Sequence, residues 1–487
     1  MPLLPPRVVI AGTHSGVGKT TVATGLMAAL AARGLRVGAA KVGPDFIDPG
    51  YHALACGRPS RNLDVRLCGE GVVRAVAGRA GAGCELLVIE GVMGLFDGAG
   101  SGPEASTAHV ARLLDAPVVL VIDAAAMSGS VAALVHGFHS FDPRSRIAGL
   151  VLNRVGSDSH ERLLRDALLP LGLPVLGALR RDARLTWRDR HLGLVPVAER
   201  PVEVRTALAA LAALVAASVD LDAIVTLATS APAVTVADLP PPPRWDEPTS
   251  IDGIPVGSGK QTGLAGEGRG SLPRSHSLAS AGSGGRRPVI ALAGGPAFSF
   301  TYPELPEALA AAGAEVVPFD PRRDVALPAE ATGLIAGGGF PEVFAAELAA
   351  NQPLLADVRR RVGGGLSTWA ECGGLLWLAR SLDGQPLAGV VPADARMTDR
   401  LTLGYRTATT RSASPVGPTG TTVSGHELRY SSLDPAGDAL DLQGRQGPSR
   451  AGHATATLLA TYLHVHPAGE PAAVAAFVQA ASAPNHA

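Results

Sequence analysis

Paired cysteines, net charge and long apolar runs are what this sequence lacks. Four cysteines occur in 487 residues, Cys56, Cys68, Cys84 and Cys372, scattered without metal-ligand spacing. That usage fits a reducing compartment, in which thiols are core filler or catalytic. With 42 Lys and Arg against 43 Asp and Glu, the net charge is −1. There is no electrostatic case for nucleic acid or an anionic membrane as partner. No uninterrupted apolar run is long enough to span a bilayer, and no basic start leads into a signal-peptide core, so a cytoplasmic location is expected. What remains is 46% hydrophobic and 17% charged, the balance of a soluble globular chain. Its length exceeds one core, and two or three domains are the prior.

The chain is organised around Arg7-Val8-Val9-Ile10-Ala11-Gly12-Thr13-His14-Ser15-Gly16-Val17-Gly18-Lys19-Thr20-Thr21. An apolar run suited to a buried parallel strand meets a Gly-rich turn, which opens an amphipathic helix. Small residues let backbone N–H groups close round an anion at the positive end of that helix. Thr13, His14, Ser15, Gly16, Val17, Gly18, Lys19, Thr20 and Thr21 are therefore the expected nucleotide-binding loop. Lys19 would neutralise the β/γ-phosphates and Thr20 would ligate Mg²⁺. The spacing departs from the usual pattern by one: Thr13 stands where a glycine belongs, with Gly12 beside it. A chance Gly-Lys-Thr at a helix start is the rival reading, but strand, loop and helix follow in the required order.

From residue 7 to about 225 strand-like runs alternate with helical ones. The strands are read at Val8–Ala11, Arg36–Lys41, Leu86–Glu90, Val118–Asp123, Ile147–Asn153 and Val175–Ala178. Alternation of this kind predicts a doubly wound parallel sheet covered on both faces, with ligands at the carboxyl ends of the strands. Asp45 and Asp48 follow the second strand in a Pro/Gly-stiffened loop, and Glu90 ends the third. A carboxylate in such a place beside a phosphate loop commonly holds Mg²⁺. Asn153 could reach an adenine edge, or simply terminate its strand.

The region from 231 to 288 reads as a Pro/Gly/Ser-rich linker with too little apolar surface to order itself. Its Gly257-Ser258-Gly259-Lys260 imitates a second phosphate loop but has no strand before it, no helix after it, and Gln261 in place of the hydroxyl. The expected domains are 1–230, this linker, and 289–487. The last is a second α/β unit with strands at Pro288–Leu292, Glu315–Phe319, Gly333–Ala336, Gly365–Ala370 and Leu458–Leu463. Within it, Ala370-Glu371-Cys372-Gly373-Gly374 reads as a strand–elbow–helix. A cysteine there is exposed and its thiolate is favoured by the helix dipole. A base is required, and His464 in Tyr462-Leu463-His464-Val465-His466 is the best candidate. A metal site at the His464/His466 pair is the rival, and His426 is a weaker base.

These residues resemble a known family. Gly12–Thr20 with the tract Lys41–His52, Gly57–Asp64 and Glu90–Gly98 is similar to cobyrinic/hydrogenobyrinic acid a,c-diamide synthases, and Arg190–Pro196 and Gly425-His426-Glu427 resemble further signatures of theirs. The resemblance implies a dethiobiotin-synthetase-like ATPase domain joined to a class I glutaminase. It implies ATP and Mg²⁺ as cofactors, and glutamine and a corrinoid carboxylate as substrates. Thr20, Asp45 and Glu90 would organise the metal. Asp45, Phe46, Ile47 and Asp97 would line the tetrapyrrole carboxylate site. Cys372 would be the nucleophile and His464 its base, and the amides of Gly339 and Gly373 are assigned the oxyanion hole. Class I glutaminases place Glu two residues after the histidine; here that position is His466, which leaves the third triad member missing or elsewhere. Cobyric acid synthase, a metal-sirohydrochlorin diamide synthase, and a P-loop ATPase switch without synthetic chemistry are the alternatives. A homodimer is left open.

Overall fold

The computed structural model describes residues 3–100, 102–181, 201–236, 287–445 and 447–483. The motif Arg190–Pro196 and the imitation loop at 257–260 lie outside the described residues, as does the expected linker from 237 to 286. Residues 231–236 belong to the first unit: Leu4 N donates to Val234 O and Val236 is buried in its core.

In the first unit the strands are β1 (Arg7–Gly12), β2 (Val37–Val42), β3 (Arg61–Leu63), β4 (Leu86–Glu90), β5 (Val118–Asp123), β6 (Ile147–Val155) and β7 (Val175–Arg180). They form one sheet in the order β3-β2-β4-β1-β5-β6-β7, with every pairing parallel. A parallel sheet needs crossover helices on both faces, so its strands are apolar on both sides. Val8, Ile10 and Val88 pack under Lys19–Ala32, Pro201–Ser218 and Leu221–Thr229. Val9, Ala11 and Ile89 pack under Val65–Ala80, Thr107–Leu113, Ser130–Phe141 and Asp158–Leu168. Because β1 lies between β4 and β5, the chain leaves it in opposite directions across the sheet. The crevice this opens at the carboxyl ends is where a ligand fits.

The second unit has two sheets. β8 (Val289–Ala293), β9 (Glu315–Phe319), β10 (Gly333–Ala336) and β11 (Ser367–Glu371) join β18 (His453–Thr455) and β19 (Leu458–Thr461) in the order β18-β19-β11-β10-β8-β9, parallel except at β18. Between them in sequence lie β12 (Ala379–Leu382), β13 (Gln385–Pro386), β14 (Val391–Thr410), β15 (Thr422–Asp434), β16 (Leu440–Gly444) and β17 (Gly447–Ala451), and the short β20 (His464–Val465) follows. These build the second sheet around the long β14–β15 hairpin. The inward positions at the start of β14 are Val391, Ala393 and Ala395. Alanine on the buried face blurs the apolar alternation by which a strand is read.

The two units meet over a mixed interface. Ile47, Tyr51, Val204, Leu208 and Phe300 form an apolar cluster. Beside it Arg61 on β3 donates to Glu304 (2.8 Å) and Glu307 (2.6 Å) at the start of the helix Glu304–Ala311, and Arg79 also reaches Glu307. Tyr405 on β14 donates to Asp64 at 2.9 Å.

Candidate active sites on the two sides of the junction

The expected phosphate loop follows β1, and the helix it opens begins at Lys19. Gly18 has φ +96°, and a Cβ on it would come within 2.2 Å of the Asn153 amide nitrogen. That amide group donates to Val17 O at 2.8 Å. Asn153 thus braces the loop from β6, while its Oδ1 accepts from Arg154 N. Lys19 lies back along the loop with Nζ on His14 O. Burial, and then the nearby Lys41 ammonium, lower the Lys19 pKa to about 8.

Carboxylates from two further strand ends converge on the loop. Thr20 Oγ1 donates to Glu90 at 2.6 Å and lies 3.3 Å from Asp48. Lys41, at the end of the otherwise apolar β2, donates to Asp48 (2.6 Å), Glu90 (2.8 Å) and Gly91 O, and Asp45 stands 3.8 Å away. His52 holds the second Glu90 oxygen at 2.6 Å. Burial alone would raise the Glu90 carboxyl; the Lys41 ammonium and the His52 bond hold it well below the usual carboxylate range. Asp48 goes the other way, raised by burial and by Asp45 and Glu90 in spite of Lys41. The cluster therefore has more carboxylates than Lys41 alone neutralises.

Asp45 is expected beside Thr20 and Glu90. Asp48 is the nearer of the two loop acids to Thr20, and Asp45 caps its own loop by accepting from Ile47 N at 2.7 Å. Lys41 and His52 take part although neither is among the residues expected at the site. A lysine inside a fully buried strand was the available signal, since such a charge has to be paired. Asp97 is exposed and accepts from Gly94 N.

Among the described residues no three His, Cys, Asp or Glu side chains converge as a metal cage. The donors suit a different arrangement. Mg²⁺ is ordinarily held by one or two carboxylates, waters and substrate phosphates. A hydroxyl and an excess of hard carboxylate oxygens beside a phosphate loop fit that ion.

In the second unit Cys372 sits between β11 and the helix Gly373–Leu378 with φ 46° and ψ −97°. A non-glycine residue held there is strained by about 1–3 kcal/mol, which the surrounding packing has to maintain. Its amide is anchored to Thr461 O at the end of β19, and its thiol donates to Leu428 O at 3.8 Å. A Cβ on Gly373 would lie 3.0 Å from Gly339 N, so the two residues assigned the oxyanion hole are neighbours across the β10 and β11 turns. Burial pushes the Cys372 thiol up to about 12.

His464 opens β20, paired with His426 of β15 and with the ring centroids 5.1 Å apart. A Cβ on Gly338 would lie 2.4 Å from His464 Cε1, so the β10 turn closes over the ring. His464 Nδ1 stands 3.7 Å from Glu371 Oε2. Burial lowers His464 to about 4, and it lowers His426 well below the ordinary imidazole value. Thiol and imidazole are therefore both neutral at rest. His466 packs on Tyr302 at 4.3 Å and takes a hydrogen bond from Ala468 N.

Phe46 and Ile47 turn away from the nucleotide loop. Ile47 enters the apolar cluster, and Phe46 projects into the second unit, 5.1 Å from the His464 ring, 4.5 Å from Tyr302 and 5.2 Å from Phe300. The 43–48 loop, expected to line a substrate site, thus touches both candidate centres.

A P-loop nucleotide-binding domain joined to a cysteine-elbow amidotransferase domain is the class that this fold and these sites define. Residues 8–195 match the CobQ/CobB/MinD/ParA nucleotide binding domain, and residues 289–472 match the CobB/CobQ-like glutamine amidotransferase domain. The hydrogenobyrinate a,c-diamide synthase of Streptomyces coelicolor is 50% identical, covering 97% of each chain. That of Thermobifida fusca is 46% identical over 98% of this chain and 97% of its own. The cobyrinate a,c-diamide synthase of a Synechococcus strain is 40% identical over 97% of this chain and 98% of its own. The chain belongs to the hydrogenobyrinate/cobyrinate a,c-diamide synthase family, glutamine-dependent, amide-forming ligases of cobalamin biosynthesis.

Proposed function

We propose that this chain, acting in the cytoplasm, amidates the a and c carboxylates of hydrogenobyrinic or cobyrinic acid, with ATP activating each carboxylate as an acyl phosphate and glutamine supplying the ammonia. The observation that carries the reading is the 43–48 loop. Asp48 at its end bonds Lys41 beside Thr20 and Glu90, and Phe46 of the same loop packs on His464. One short segment therefore joins the place where a carboxylate would be phosphorylated to the place where ammonia would be released.

In the first unit the N–H groups of residues 13–19 and the Lys19 ammonium bind the phosphates, and Asn153 keeps the loop closed. Thr20, Asp45 and Asp48 would hold Mg²⁺, and Glu90 orients Thr20 and Lys41. When bound, the ion neutralises charge developing on the transferred phosphoryl group. Asp45 and Asp97 border the acceptor carboxylate, whereas Ile47, expected beside them, is buried in the apolar cluster. In the second unit the Cys372 proton moves to His464 as sulfur attacks the glutamine amide. The amides of Gly339 and Gly373 stabilise the oxyanion, and the same proton leaves with ammonia.

The test is Cys372→Ser assayed with glutamine and with ammonia, on metal-free and cobalt-containing substrates side by side, with products read by mass. Synthesis lost with glutamine and retained with ammonia supports the reading, and the two substrates decide which macrocycle is accepted. Equal loss with both nitrogen sources overturns it.

A further inference from the structure

We propose that Glu371 is the third member of the glutaminase triad, a positioning residue that holds His464 through Nδ1 and leaves Nε2 to face the cysteine. The proposal rests on the assignment of Cys372 and His464 above. A cysteine–histidine pair works only if the imidazole presents the correct nitrogen and its positive charge is balanced when the thiol proton arrives. The residue two places after His464 cannot do this, because it is His466, turned onto Tyr302. Another acid has to come from elsewhere in the fold.

Glu371 ends β11 immediately before the elbow, and β11 pairs with β19, whose continuation carries His464. One carboxylate oxygen is fixed by Val465 N at 3.2 Å, the amide next to His464, and the other stands 3.7 Å from His464 Nδ1. That separation is ion-pair distance, longer than a hydrogen bond. Both His464 ring nitrogens are otherwise buried without a partner. The neighbouring acids are committed: Glu427 to Arg406, Glu304 to Arg61, and Asp64 to Tyr405 and Leu67 N. Among the described residues Glu371 has no lysine or arginine within ion-pair distance, and its side chain is 14% exposed.

The titratable and charged groups around the pair are Cys372 on the elbow, itself faced by Glu342, Arg429 and Tyr462, then Tyr302 from the segment after β8, His426 on β15, and His466 beyond β20. Burial, opposed by the Val465 N–H that donates to the carboxylate, raises Glu371 to about 8. Its ionised form therefore gains population as pH rises through that value. The thiol proton goes to His464 and then to the departing ammonia, and Glu371 keeps its charge throughout.

The experiment compares wild type, Glu371→Gln, Glu371→Asp and Cys372→Ser from pH 6.5 to 9.5. It reads glutamine-driven kcat and KM, and the alkylation rate of Cys372 by iodoacetamide. In Glu371→Gln the glutamine-driven kcat is expected to fall on the order of a hundredfold with KM nearly unchanged, and the rising limb near pH 8 to vanish from that rate, whereas alkylation of a thiol pushed up to about 12 rises with pH in every variant that keeps Cys372. Glu371→Asp keeps the charge on a shorter arm and is expected to retain the limb with part of the rate. It carries the test if the glutamine variant does not fold. A Glu371→Gln profile that keeps the limb, or a loss confined to KM, overturns the proposal. So does a Glu371→Asp enzyme without the limb. If Cys372→Ser still uses glutamine, the assignment of the site itself has failed, an outcome distinct from either.

Discussion

Lys41 is the residue on which the synthetase cluster turns. Its ammonium is 4% exposed and lies between Asp48 and Glu90, so removing it leaves buried carboxylates facing one another. Truncating one member of a buried ion pair typically costs about 3–5 kcal/mol. Lys41→Met is expected to lose about that much stability in denaturant titration, and to fail with glutamine and ammonia alike in a steady-state assay. Lys19 leads to a pH prediction. Burial and Lys41 lower its pKa to about 8, so it is charged at neutrality and loses its proton above that value. Phosphate binding favours the protonated form, and nucleotide binding should take up a proton in that range. ATP affinity is expected to fall by up to about tenfold per pH unit above pH 8, with buffer-dependent heats in calorimetry as the check. An affinity flat from pH 7 to 9.5 would remove Lys19 from the phosphate contact.

At the scale of elements, the turn after β10 bears on both the oxyanion position and the base. Gly337–Gly339 passes so close to β20 and the elbow that side chains are excluded: a Cβ on Gly338 would lie 2.4 Å from His464 Cε1 and 3.1 Å from Phe300 Cβ. Overpacking of this kind usually costs about 1–3 kcal/mol. Gly338→Ala is expected to displace the imidazole, lowering glutamine-driven synthesis at least tenfold while ammonia-driven synthesis persists. Equal rates with both nitrogen sources in that variant would detach the turn from the base. The neighbouring elbow was legible in sequence because Gly373 and Gly374 follow a strand that ends in a cysteine. The second sheet was not, since its inward alanines and polar outer face weaken the period on which strand recognition depends.

Across the whole molecule, the domains are joined by charge as well as by the apolar cluster at Ile47 and Phe300. Arg61 is 8% exposed and is the only partner within ion-pair distance of Glu304 among the described residues, whereas Glu307 keeps Arg79. Arg61→Met is therefore expected to strand one buried carboxylate and cost about 3–5 kcal/mol of domain docking. The measurement is thermal unfolding, in which a single transition should split or broaden toward two. An unchanged melting curve would show that the units stay docked without the Arg61 ion pairs.

The chain's own order of residues determined the elements that depend on local rules. A phosphate loop needs glycines between a buried strand and a helix, a parallel sheet needs apolar strands alternating with helices, and an elbow needs small residues after its nucleophile. Each condition lies within a few residues of sequence, so Gly12–Thr21, six of the first unit's seven strands and the elbow at Cys372 could be read directly, though not the short β3 nor the burial of a thiol expected to be exposed. Tertiary structure alone decided which distant side chains meet. Asp48 comes nearer than Asp45 to Thr20, Lys41 and His52 both bond Glu90, Phe46 crosses into the other unit, and Glu371 faces His464. Those pairings depend on strand order and on domain docking, and spacing along the chain encodes neither.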